Sequence, residues 1–77
     1  KADKLLEFAL GQAGYPGTMA DKLKGAHSLF SDLDGVWSAH KLRNRMVHEV
    51  DVKVTPLQAK GAMRAFKRAL ADMGIAL

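Results

Sequence analysis

Seventy-seven residues with no cysteine, a net charge of +4 and a pI near 9.7 describe one small, moderately basic domain, residues 1–77. Without cysteine the disulfide and zinc-thiolate routes to stability are closed, so self-association is the expected support for a modest core. No apolar run approaches the roughly 20 residues of a membrane span and no signal peptide is present, so no membrane contact within this segment and a cytoplasmic setting are expected. The chain starts at Lys1 rather than a methionine and is expected to be a piece of a longer one.

Asp3 to Ala13 reads as a first helix, with Leu5, Leu6, Phe8, Ala9 and Leu10 as its apolar side. Gly14-Tyr15-Pro16-Gly17 stops it, because proline cannot continue a helix and glycine accepts tight turn conformations. Thr18 with Asp21 is an acidic form of a helix-entry box and opens a second helix, about Met19 to Phe30, with Met19, Leu23, Ala26 and Phe30 on one side. Ser31-Asp32-Leu33-Asp34 is an N-cap cluster that opens a third helix running from Leu33 to His48 or Glu49. Val50-Asp51-Val52-Lys53-Val54 alternates like a strand but has no strand-like partner, so an extended connector is expected. Thr55-Pro56-Leu57-Gln58 combines an N-cap, a first-turn proline and a capping-box glutamine. Ala59, Ala62, Met63, Phe66, Ala69, Leu70 and Met73 form the stripe of the helix that follows, and Gly74 ends it. About four helices with short connections argue an all-α fold, a small antiparallel up-and-down bundle.

The third helix carries the chemistry. At about 100° per residue, Leu33, Val36, Trp37, Ala39, Leu42, Met46, Val47 and Val50 cover one broad arc of its wheel. His40 and Arg43 fall inside that arc and Asn44 and His48 lie on its edge, whereas Asp34, Ser38, Lys41, Arg45 and Glu49 point the other way. Arg43 has two readings: a guanidinium held ready for phosphate oxygens, or a stem laid over the core with its head paired to Asp3 or Asp32. His48 sits in the last turn, at the negative end of the helix dipole, a suitable place for a group that gives and takes protons. Asn44, one turn earlier, can orient that ring or hold an oxygen, and His40 is either an auxiliary site residue or a core histidine. His40 and His48 are two turns and roughly 12 Å apart along the axis, too far to share an ion, so no metal and no cofactor are expected. His27 is expected at the surface or in packing, and Trp37 in the core or a dimer interface. Lys60, Arg64, Lys67 and Arg68 line the outer side of the fourth helix, a solvated face by default and an RNA-backbone contact otherwise.

Arg43-Asn44, three residues, then His48 resembles the signature of HEPN domains, an arginine and a polar residue followed about a turn later by a histidine. The surrounding Trp37 to Glu49 segment, the Thr55-Pro56 helix start and the Met73-Gly74 ending look like bacterial members of that family. The resemblance implies a small helical bundle that dimerises and a metal-independent endoribonuclease acting on single-stranded RNA. Arg43, Asn44 and His48 of both subunits would then line one shared cleft, and in toxin–antitoxin pairs of the family a second protein silences the nuclease. Two rivals accompany this expectation. One is a non-catalytic module of the same kind that binds RNA or nucleotide or dimerises; the other is a plain helical interaction domain in which Arg43 and His48 satisfy internal partners.

Overall fold

Capping chemistry decides where the second, third and fourth helices of the chain begin. The computed structural model describes residues 2–49, 51 and 53–75 and contains α1 (Ala2–Gln12), α2 (Met19–Gly25), α3 (Leu33–His48) and α4 (Pro56–Asp72), with no strand among the described residues. At the start of α2 the Thr18 N–H donates to Asp21 Oδ2 at 3.0 Å and the Asp21 N–H donates to Thr18 Oγ1 at 3.2 Å. Thr55 and Gln58 repeat this reciprocal pair at α4, at 3.0 and 3.1 Å, with Pro56 in the first turn. Asp32 caps α3 by accepting the Gly35 N–H at 3.1 Å, and a Cβ at Gly35 would collide with that carboxylate. Caps of this kind stabilise a helix by about 1 kcal/mol each, which matters in a chain this short. Val50 and Val52 of the expected connector lie outside the described residues, while Lys53 and Val54 have no regular structure.

Three sequence expectations need correction. Helix two does not continue to Phe30; α2 stops at Gly25 and a separate 3-10 turn covers His27–Leu29. Gly25 is a weak helix former, and a Cβ there would lie 3.1 Å from the Tyr15 ring, so the glycine accommodates that ring where the helix ends. On α1 only Leu6, Ala9 and Leu10 are buried, and Phe8, about 200° round from Leu6, is 63% exposed. On α4 Ala65 replaces Ala59 and Met63 in the buried set with Phe66, Ala69 and Leu70, because the face turns toward α3.

The core joins Leu6 and Leu10 of α1, Leu23 of α2, Val36 of α3 and Leu70 of α4, all fully or almost fully buried, with Phe30 and Phe66 beside them. Each buried leucine contributes roughly 1.5–3 kcal/mol relative to an exposed one. Packing is closest between α3 and α4, and α1 covers α4 and α2. Ser31 staples the first pair: its N–H and hydroxyl both donate to Asp72 Oδ2, at 2.8 and 2.9 Å, and its Oγ accepts from Arg68 Nε at 3.0 Å. The head of α3 is thus tied to the tail of α4, and the two helices run antiparallel. Asp3 of α1 meets Arg43, and Glu7, one turn on, acts on the charge of His40, so side chains of α1 reach α3 although the two helices are not closely packed. No helix among the described residues is long and apolar enough to cross a membrane.

The staple depends on an ionised carboxylate. The Ser31 amide, ahead of the Ser31 hydroxyl and Arg68, holds the Asp72 pKa below the ordinary 3.8 despite some opposing desolvation. A depressed acid stabilises the fold above its unfolded pKa and loses that contribution as pH falls through the folded one. Asp72→Ala is therefore expected to melt lower than the parent at neutral pH, with the gap closing below pH 3.8. A gap that stayed constant through the acid range would assign Asp72 a packing role instead.

Candidate functional site

The motif residues occupy the second half of α3, and the helix distributes them over two places. His40, Arg43 and Asn44 are half-buried on the flank facing α1. Together with Asp3 and Glu7 of α1 and the Thr18 to Ala20 start of α2 they line a cavity of about 270 Å³. His48 is exposed in the last turn, outside that cavity, and nothing among the described residues hydrogen-bonds its ring. One subunit therefore brings Arg43 and Asn44 together with His40 in that cavity and leaves His48, one turn beyond Asn44, outside it.

Arg43 takes the core-margin arrangement, with Asp3 as its partner: Nε lies 2.5 Å from Asp3 Oδ2. Asp32, the other acid considered for it, is engaged in capping α3. The Arg43 side chain remains 36% exposed while that of Asp3 is only 17% exposed, so the guanidinium keeps an open side. Pairs this close to solvent contribute on the order of 1 kcal/mol or less. Within the cavity lining, the Arg43 cation is set against two carboxylates, Asp3 and Glu7. An isolated subunit thus presents this cavity as a poor attractor for an anion.

His40 and Asn44 form a second unit. Asn44 Nδ2 is 3.3 Å from His40 Nε2, a contact in which the amide donates when the ring is neutral and carries its proton on Nδ1. Burial first, and the Arg43 charge second, hold the His40 pKa below the ordinary 6.5, with Glu7 opposing them. The Trp37 ring meets His40 edge-on, with centroids 5.9 Å apart and planes at 71°, and Trp37 itself packs against the core. Val36 is buried within the single subunit, so the apolar surface that α3 leaves open is at its end, at Met46 and Val47. His27 is exposed, its Nδ1 2.9 Å from the Lys24 carbonyl.

The opposite flank of α3 is chemically different. A groove of about 800 Å³ runs between α3 and α4, bordered by Lys41 and Arg45 on one side and Arg64 and Arg68 on the other. Lys60 and Lys67 are exposed on α4 but lie outside it. The helical wheel assigns Lys41 and Arg45 to solvent, which is correct, but cannot show that this solvated flank faces that of α4. The available signal was a pair of cationic steps at four-residue spacing, Lys41/Arg45 and Arg64/Arg68, on consecutive antiparallel helices. Comparison with known proteins adds no relative: no family model, no curated protein and no solved structure matches the chain.

The His40 environment predicts a pH response. A base whose folded pKa is depressed contributes fully above its unfolded value and loses that contribution as pH falls through the window below 6.5. The parent protein should therefore lose melting temperature between pH 7 and pH 5 more steeply than His40→Gln, which keeps an acceptor for Asn44 without a titrating ring. Parallel melting curves over that range would show instead that His40 charges freely in the folded state.

Proposed function

We propose that the chain is a HEPN-like, metal-independent endoribonuclease that cleaves single-stranded RNA in a site shared across a homodimer. One observation supports this reading over a single-subunit site. The end of α3 that bears His48 carries Met46 and Val47 at 55% and 56% exposure, and antiparallel pairing sets Leu57, 78% exposed, at the same end. Covering that apolar end with a second copy removes it from water and brings two copies of His48 toward one another.

Two histidines matter because in-line cleavage gains from both a base and an acid. One His48 takes the proton of the ribose 2′-hydroxyl, whose oxygen forms the new bond to phosphorus. The other His48 protonates the 5′-oxygen as its bond to phosphorus breaks. The products are a 2′,3′-cyclic phosphate and a 5′-hydroxyl, with no net change in protons. Arg43 stabilises the charged phosphoryl group from the open side of its guanidinium, and Asn44 fixes local orientation through His40. A second reading, a non-catalytic binding or dimerisation module, is favoured by the neutralisation of Arg43 by Asp3.

Light scattering at micromolar concentration is expected to give a dimer. His48→Ala should abolish cleavage of a single-stranded RNA without changing the melting temperature, since the ring is exposed and bonded to nothing described. Activity should persist in excess EDTA and stop when the ribose 5′ of the cut is replaced by deoxyribose. A dimer that leaves RNA intact would select the second reading, and a stable monomer would remove the composite site.

A further inference from the structure

We infer that the groove between α3 and α4 is a track for the phosphate backbone of a single nucleic-acid strand, on the flank of α3 away from the Arg43 cavity. This inference rests on the proposal that RNA is the ligand, and it adds Lys41 and Arg45, which the helical wheel leaves as plain solvated residues.

Charge comes first. Lys41, Arg45, Arg64 and Arg68 border the groove against one lining carboxylate, Asp32, which is occupied in capping α3. Lys41 and Arg64 have no hydrogen bond or ion pair among the described residues, and Arg45 has only a loose contact with Glu49 at 3.9 Å. Arg68 is held in place by Ser31 through its Nε and shares its charge with Asp72, so Lys41, Arg45 and Arg64 are the cations least committed within the protein. Four cations in two rows concentrate positive potential between them more than the same charges would on a convex surface.

Shape comes second. The floor is made of small residues, Gly35, Ala39, Gly61, Ala62 and Ala65, with Leu42. A Cβ at Gly61 would meet nothing within 4 Å, so the groove is open at this point of the floor and has room for a side chain. Within each row the cations are one helical turn, about 6 Å, apart along the axis. Apart from Leu42 the apolar floor offers only methyl groups and backbone, and no aromatic ring lines it for base stacking, so recognition is of the backbone and tolerates any sequence.

The test uses the intact chain and a fluorescently labelled all-deoxy single strand, which cannot be cleaved by 2′-hydroxyl attack, with anisotropy read between about 50 and 200 mM salt. Lys41→Ala with Arg64→Ala should weaken binding about ten-fold or more at the low-salt end and lower the slope of log affinity against log salt by about 1.4, the loss of two phosphate contacts. Lys4→Ala with Lys24→Ala removes the same charge from α1 and α2 and should stay within about two-fold. Gly61→Glu, which places a carboxylate in the groove, should weaken binding, whereas Gly61→Ala should not. Circular dichroism of each variant confirms that it folds. An equal loss in Lys60→Ala with Lys67→Ala would mean that the outer face of α4 is the surface and would overturn the groove assignment. Binding by the parent that no groove variant disturbs would overturn it while leaving RNA as the ligand. No binding by the parent to the deoxy strand or its RNA counterpart, with capture of poly-glutamate instead, would overturn both and identify an acidic protein segment as the partner.

Discussion

The pairing of α3 with α4 is the constraint on which the other features of this small domain depend. Ala39, Ala65 and Ala69 are small and buried, and Ser31 ties the head of α3 to the Asp72 and Arg68 tail of α4. Once α3 is fixed along α4, one of its flanks is committed to a groove and the other to α1. Helical geometry then distributes its polar residues. His40, Arg43 and Asn44 turn toward Asp3 and Glu7, while Lys41 and Arg45 turn toward Arg64 and Arg68. A helix of sixteen residues between two partners cannot present all of its cations to one site.

The two flanks differ in charge for a structural reason. α1 carries Asp3 and Glu7 one turn apart on its α3-facing side, so the cation that points there is neutralised locally. α4 faces α3 with arginines one turn apart, so the cations that point there reinforce one another. A ligand that is drawn by charge alone approaches the groove rather than the motif cavity. In the proposed enzyme, binding and chemistry are therefore assigned to different surfaces of the same helix, and Arg43 has to act on a phosphate that other cations have already brought near.

Much of the fold was legible in the sequence because caps are local. Asp32, Thr55, Pro56 and the Thr18/Asp21 box fixed three helix starts without reference to anything distant. The end of α2 was less legible, since the role of Gly25 depends on Tyr15 packing against it across a turn. Leu5 and Phe8 on α1 and Ala59 and Met63 on α4 show the same limit: an apolar residue is buried only where another element covers it, and periodicity alone does not say where cover ends. At the candidate site the wheel correctly separated Arg43 from Arg45. It left the partner of Arg43 open between Asp3 and Asp32, and the packing of α1 decides for Asp3. The α3/α4 groove is a property of two helices at once, visible only when the spacing of cations on both is read together with their antiparallel order.

The position of His48 links the two surfaces. It follows Arg45 by three residues, about 300° of helical turn, and so lies only about 60° round the axis from it and roughly one turn further along. The cationic row Lys41, Arg45 therefore leads toward His48 at the end of α3, whereas Arg43 is turned about 160° from Arg45, toward α1. A strand following that row would arrive at the imidazole with its phosphates already neutralised, and would reach it without crossing the acid-lined cavity. In one subunit, however, the Arg43 that pairs with Asp3 stands on the far side of the helix from this path. If a strand in the groove is to meet a guanidinium as well as an imidazole at the cut, the simplest source for the former is the end of α3 in a second copy. The same exposed Met46 and Val47 that need cover would bring it there. In the proposed enzyme the groove and the dimer are therefore not independent: the groove would deliver the strand to one His48, and the second copy would supply what that subunit turns away from it.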